Sequence, residues 1–308
     1  RKLKELKAYM ELKEKLVSSF IAFENQISLD NPFVHSMRTE ALYSFESKGF
    51  PQKKEEAWKY TSLKKVLKED FSVFSKTETA LEYKDVQPYF IHDIDSYKIV
   101  FVDGKYASNL SQTTHDDIDI CLMSSALEKP KYRSVIENYF NKIADKNSLT
   151  SLNTAFVNEG AYIHITKNKM VEKPIQIIHF STGNESALLL QPRNLIVVDE
   201  NAHVQIIERH QSLTNNSTLT NCVTEIFAAK RGIVDYYKVQ NDKDSASLVD
   251  STFINQESES HVAVHTFSFG GKLIRNNLNF YQNGEYMDST LKGVTIIGNK
   301  QHVDHNTL

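Results

Sequence analysis

The sequence predicts an α+β protein: a helical first third followed by a β-rich half of repeated strand–corner–strand units. Three observations predict it. Apolar residues recur at helical spacing up to about residue 70. After Ser151 the apolar runs become short, β-branched and aromatic. Polar corners then return at nearly constant intervals. The 308 residues are long enough for about two domains. We read 1–95 as a helical N-terminal domain, 96–150 as a mixed connecting region and 151–308 as the β core.

In the first helix Leu6, Tyr9, Met10, Leu16, Val17, Phe20 and Ile21 recur between Lys and Glu at helical spacing. Asn31-Pro32 reads as an N-cap followed by a first-turn proline. Phe33, Met37, Ala41, Leu42 and Phe45 supply the apolar face of a second helix. Gly49 suits the position that ends it, and Pro51 blocks simple continuation. A short helix is predicted from about Lys53 to Leu67, with Glu55 and Lys59 at i, i+4 adding a few tenths of a kcal/mol. This stretch holds Trp58, the only tryptophan in the chain. Charged residues crowd around it. Trp58, Tyr60 and Leu63 are expected to anchor the segment by burial, so Trp58 is read as a structural anchor.

From Tyr97 the texture changes. "YKIVFVDGKY" reads as a strand with an Asp-Gly turn, and "DIDICLM" alternates as a strand does. "KPKYRSVIENYFNKIAD" returns to helix, with Val135, Ile136, Tyr139, Phe140 and Ile143 on one side. "AYIHI", "IQIIHF", "LIVV", "VQIIE", "TEIFA", "IVDYYKV", "STFIN", "VAVHTF", "LNFY" and "VTII" then follow as strands. Pro174 and Pro192 fall near strand starts, where a missing N–H is tolerated. The corners "DENA", "AKRG", "ESES" and "NGEY" end at Ala202, Gly232, Ser260 and Tyr286, so they recur after 30, 28 and 26 residues. Regular spacing without sequence identity suits stacked β-coils. An antiparallel sandwich stays open on pattern alone, with Asn283-Gly284 as its main hairpin candidate.

Composition excludes several functions. With 40% hydrophobic and 24% charged residues the chain is ordinary for a globular protein. A net charge of −3 offers no basic excess to displace phosphate counterions, so no nucleic-acid partner is expected. Cys121 and Cys222 form neither a zinc pattern nor a disulfide framework, which fits a reducing, cytoplasmic setting. No apolar run nears the ~20 residues needed to span a bilayer, and the basic start has no apolar signal region, so no membrane partner is expected. "SFGGKLI" lacks the pattern of a phosphate loop and reads as a bend between coils. No GxGxxG or GxSxG is present. Asp116-Asp117 and Glu55-Glu56 read as solvated turn or helix positions.

Histidine is the remaining candidate chemistry. His261 and His265 would share a strand face but lie about 13 Å apart, too far for one ion. "HVDH" is the densest cluster. On a strand His302 and Asp304 share a face while His305 points the other way. A metal site there would need ligands from adjacent coils, and a polar face or corner is the plainer reading. His302, Asp304 and His305 therefore stand as candidates for a polar interaction cluster. No catalytic, cofactor-binding or metal-ligating residue is assigned. That lack points to a scaffold or binding protein.

Six blocks, in order along the chain, resemble one known family: "GFPQKKEEAWKYTSL" (49–63), "VFVDGKYASNLS" (100–111), "LTSLNTAFVNEGAYIHI" (149–165), "VEKPIQIIHF" (171–180), "QPRNLIVVDENAHVQIIERH" (191–210) and "KQHVDHNT" (300–307). The family is that of the SufB/SufD iron–sulfur cluster assembly scaffolds. The resemblance implies a right-handed parallel β-helix core behind a helical N-terminal domain. It implies a non-catalytic cytosolic scaffold subunit of the SUF machinery, with SufB-like and SufC-like (ABC ATPase) partners. No cofactor is expected on this chain itself; an iron–sulfur cluster belongs to the assembled complex. In the family the core continues to a Cys-x-His-Gly motif and to helices that contact the ATPase. No position here matches them, so the β-helix is expected to be C-terminally incomplete, with ATPase contacts needing the absent part and a homo-oligomer possible through the cut coil. A polysaccharide-active β-helix enzyme and a free-standing peptide-binding solenoid are the alternative classes.

Overall fold

The structure, a computed structural model, describes residues 2–27, 31–73, 80–91, 93–113, 118–183 and 187–308, with side chains from residue 9 onward. Asp116-Asp117 and the side chain of Leu6 lie outside the described residues.

Helix α1 (Lys2–Ile27) buries Leu12, Leu16, Phe20 and Phe23, one stripe at i, i+4 and i+3 steps. Met10 and Ile21, expected on that face, are exposed. The docking partner selects the stripe: Phe156 meets both Phe20 and Phe23, with ring centroids 6.0 and 5.2 Å apart. Helix α2 (Pro32–Lys48) begins where Asn31 accepts the Phe33 N–H at 3.2 Å, and Asn31 Nδ2 donates to Leu127 O at 2.7 Å. It ends at Gly49, whose φ of 66° suits glycine and whose N–H donates to Phe45 O at 2.7 Å.

A short α3 (Tyr83–Val86) precedes strand β1 (Tyr97–Val102), the edge strand β2 (Lys105–Tyr106) and β3 (Asp119–Leu122). Helices α4 (Met123–Glu128), α5 (Arg133–Tyr139) and α6 (Ser148–Ala155) follow. The predicted helix through Asp145 stops at Phe140 because a buried carboxylate collects its next backbone donors. Asn141, at φ 58°, Ile143 and Ala144 donate their N–H groups to Glu225 at 2.8, 3.1 and 3.2 Å.

The remaining strands are β4 (Ala161–Ile165), β5 (Ile175–Ser181), β6 (Leu188–Leu190), β7 (Arg193–Val198), β8 (His203–Ser212), β9 (Thr218–Ala228), β10 (Ile233–Gln240), β11 (Ala246–Gln256), β12 (His261–Ser268), β13 (Leu273–Gln282), β14 (Asp288–Thr295) and β15 (His302–Thr307). They alternate between two facing sheets. One runs β14-β12-β10-β8-β5-β1-β2 and the other β15-β13-β11-β9-β7-β4-β3. From β4 onward the pairings are parallel and connect successive coils, making a parallel β-solenoid of about five turns. Asn283-Gly284 is thus a coil corner and not a hairpin turn.

The corners explain the repeat. Asn201, Arg231, Glu259 and Tyr286 occupy one site in successive coils with φ of 57°, 57°, 63° and 59°. Left-handed backbone costs a non-glycine residue about 1 kcal/mol or more. Here each of the first three is held by a bond to the next corner: Asn201 N to Lys230 O at 3.2 Å, Arg231 N to Ser258 O at 3.1 Å, Glu259 N to Glu285 O at 2.9 Å. Glycine is required at Gly160, where any Cβ would strike the Arg193 backbone at 1.8 Å. Helix α6 docks where Gln191-Pro192 interrupts β6 and β7. Asn153 Nδ2 donates to Pro192 O at 2.9 Å and Asn221 O at 2.8 Å, and Asn221 Nδ2 donates to Leu149 O at 2.8 Å.

Residues 53–67 form two separate 3₁₀ turns, Glu56–Trp58 and Leu63–Lys65, where one short helix was predicted. Tertiary bonds break the helix between them. Thr61 is buried and its Oγ1 meets His302 Nε2 at 3.0 Å and the Asp304 carboxylate. Glu55 accepts the Gln52 N–H at 2.8 Å instead of pairing with Lys59, which reaches Glu56 at 3.8 Å. Trp58 and Leu63 are buried, whereas Tyr60 is 77% exposed. The Arg275 guanidinium stands 5.2 Å from the Trp58 ring centroid, donates to Ala57 O at 2.9 Å and pairs with Asp304. Trp58→Ala is expected to cost about 3–5 kcal/mol in denaturant unfolding. A loss within about 0.5 kcal/mol would mean that the indole carries no packing.

A candidate site in the solenoid interior

Each strand points every second residue inward. Toward the corners those residues are apolar: Ile196, Val198, Val204, Ile206, Ile226 and Val234. Toward the opposite ends the same alternation delivers Asn194, Glu208, His210, Cys222, Lys238 and Asp250, all buried. Register stacks them: Phe101, His179, His210 and Gln240 are partners on consecutive rungs of one sheet. One half of the interior is therefore an apolar core and the other a polar lane. Buried polar groups need partners, and the lane supplies them across its width.

Glu208 is the first node. His179 Nε2 lies 3.1 Å from its Oε1, Asn194 Nδ2 donates to that oxygen at 2.8 Å, and the Tyr236 hydroxyl donates to Oε2. The Cys222 thiol donates at 3.7 Å. His210 Nε2 lies 3.7 Å from Glu208 Oε1, beyond hydrogen-bond reach, and has no hydrogen-bond partner. The His179 and His210 rings stack at 4.7 Å, and Phe101 stacks on His179 at 5.2 Å. Burial works to raise Glu208, but the His179 hydrogen bond and the Lys238 charge act against it and hold the carboxyl below its usual range. Burial, then His179, pushes His210 down to about 3, so its imidazole is neutral. Burial keeps Cys222 a thiol.

Asp250 is the second node. Lys238 Nζ lies 2.6 Å from it and donates to Thr252 Oγ1 at 2.7 Å, and Gln240 Nε2 donates to Asp250 Oδ2 at 3.1 Å and Asn276 Oδ1 at 2.6 Å. His305 joins here: Nδ1 lies 3.2 Å from Asn276 Nδ2 and Nε2 3.0 Å from Thr295 Oγ1. His302 and Asp304 face the other way, onto Thr61 and Arg275, so the "HVDH" cluster divides between an inner lane and an outer clamp. His261 and His265 share the outward face of β12 as expected but meet different partners, the first 3.7 Å from Asp288 and the second stacked on Tyr237. The sequence reading passed over His179, Glu208, His210, Lys238 and Asp250. For the first four the signal was available: within "IQIIHF", "VQIIERH" and "VDYYKV" the inward positions change from apolar to ionisable.

Cavities meet the lane on both sides. One of about 310 Å³ is lined by His179 with Phe101, Asp103, Glu159 and Pro192. Another of about 230 Å³ is lined by Lys238, Asn276, Thr295 and His305. In the first, Glu159 Oε2 is sealed from solvent without a partner, and burial pushes the carboxyl up to about 7. A carboxyl raised in the folded state contributes stability below its unfolded pKa of 4.5, and that stability is lost as pH rises through 7. Glu159→Gln is therefore expected to stabilise the chain at pH 8 by about 2 kcal/mol after allowance for partial exposure. The gain should vanish toward pH 4. Denaturant unfolding at both values measures it, and an equal effect at both would contradict the burial of this charge.

Comparison with known proteins places this architecture. A family model described as the SufBD protein N-terminal region matches residues 10–177. A second, described as SUF system FeS cluster assembly, SufBD core domain, matches residues 179–308. An iron–sulfur cluster assembly SufBD family protein of Synechocystis is 26% identical over 268 residues, covering 84% of this chain and 59% of its own length. The iron–sulfur cluster assembly protein SufD of Bacillus subtilis is 26% identical over 188 residues, covering 58% of this chain and 41% of its own length. SufD of Escherichia coli is 23% identical over 249 residues, with coverage of 79% and 54%. The chain thus spans about half the length of these relatives. With both family models matched in succession over residues 10–308, the chain belongs to the SufB/SufD family of SUF iron–sulfur cluster assembly proteins.

Proposed function

We propose that this chain is a non-catalytic scaffold subunit of iron–sulfur cluster assembly, working in a complex with a SufB-like subunit and a SufC-like ABC ATPase. The observation that carries the reading is the succession of the two SufBD family models over residues 10–308. The physical arrangement agrees with it. The Arg275–Asp304–Thr61 clamp and the Asn153 contacts tie the helical part to the solenoid, giving a stiff body suited to holding partners in fixed relation. We place the cluster at the level of the assembled complex and assign the chain to a cytoplasmic setting. No helix among the described residues is long and apolar enough to cross a membrane.

Co-expression of the full-length protein with its SufB-like and SufC-like counterparts, followed by anaerobic size-exclusion chromatography, tests this. A stable ternary complex is expected, together with faster cluster delivery to an apo-acceptor than the two other subunits achieve alone. A SufB–SufC complex that forms and delivers clusters equally well without this chain would overturn the proposal.

A further inference from the structure

We propose that His179, Glu208 and His210 form an interior binding site for a divalent first-row transition ion of the iron(II) class. Three observations converge on it. The first is donor geometry. One nitrogen from each imidazole and one carboxylate oxygen all lie within 4.8 Å of one another. Glu208 Oε1 is 3.1 Å from His179 Nε2 and 3.7 Å from His210 Nε2. Ligands bound tetrahedrally at 2.1 Å stand about 3.4 Å apart, between those two values. His179 Nε2 carries the proton it donates to Glu208, so ion binding displaces that proton, to solvent or to Nδ1, before both imidazoles offer a lone pair.

The second observation is an unmet need. His210 is 4% exposed, and its Nε2 faces the cluster without a hydrogen-bond partner. A buried polar atom left unpaired costs about 1–3 kcal/mol, and a bound ion would remove that cost. Charge points the same way. Lys238 is engaged by Asp250 at 2.6 Å, while Glu208 is met by Asn194, Tyr236, Cys222 and His179. A cation at the two histidines would neutralise the Glu208 carboxylate.

The third is the setting. Asn194 and Tyr236 already orient the carboxylate, as outer partners do in metal sites. Two histidines and one carboxylate on one side of an ion leave positions open, the pattern associated with iron(II). The Cys222 thiol, 3.7 Å from the shared oxygen, places a soft donor beside those positions. His179 also lines the cavity of about 310 Å³, so one ligand of the set borders open space. The site stands apart from the scaffold reading, because its test needs no partner subunit.

Anaerobic titration of the full-length protein with cobalt(II), and then with iron(II), tests the site. One ion per chain is expected, with visible cobalt d–d absorption. His210→Asn and His179→Asn should each weaken uptake about tenfold or more, while His261→Asn leaves it unchanged. Circular dichroism and thermal midpoint verify that each variant folds. A readout without variants accompanies them: zinc(II) should shift the imidazole resonances of His179 and His210 and not those of His261. The proposal is overturned if the folded protein takes up no ion even when refolded in its presence. It is equally overturned if His210→Asn binds as wild type does, or if zinc moves only surface histidines.

Discussion

Each solenoid strand bonds to the equivalent strands of the coils before and after it, so every inward side chain sits about 4.8 Å from its counterpart on the next rung. That in-register stacking is the constraint on which the rest depends. It lets a corner residue accept left-handed backbone, because the corner above supplies a bond for its N–H. It also makes the interior a set of ladders, where an apolar residue in one coil favours an apolar residue in the next. Once Glu208 stands inside, its neighbours on adjacent strands must answer it. Asn194, Tyr236, Cys222 and His179 do so.

The same constraint fixes how the helical part attaches. Helix α6 docks where Gln191-Pro192 opens the ladder, and the side-chain amides of Asn153 and Asn221 replace the lost backbone bonds there. Arg193, beside that opening, is buried and pairs with Glu225 at 2.6 Å. Removing either partner of such a buried pair strands a charge, which costs about 3–5 kcal/mol. The pair's consequence is visible in α5, whose continuation is drawn off by Glu225. At the other end of the solenoid Arg275 serves the N-terminal segment, with one face on Trp58 and its donors on Ala57 and Asp304. Two arginines thus join local structure to coils far away in sequence.

Much of this architecture was legible in the residues. The corner spacing carried the coil repeat, and the caps at Asn31 and Gly49 carried the limits of α2. What escaped was set by long-range contacts. The stripe of α1 follows Phe156, which lies 136 residues after Phe20. The helix expected over 53–67 lost to the bonds of Thr61 with β15. Among the candidate residues, alternation correctly separated His302 and Asp304 from His305, but only register could show that His305 enters the lane. The His179, Glu208 and His210 set was hidden for the same reason. Two coils contribute to it, and a linear reading sees one histidine near the end of one strand and a Glu-Arg-His run in another.

The lane gives this solenoid an interior with its own chemistry, built from His179, Glu208, His210, Lys238 and Asp250. Anomalous diffraction from crystals of the full-length protein loaded anaerobically with cobalt(II) measures this most directly. One peak bonded to His179 Nε2, His210 Nε2 and the Glu208 carboxylate is the predicted result. An interior without a peak, with His210 Nε2 still unliganded and cobalt only at surface histidines, would contradict it.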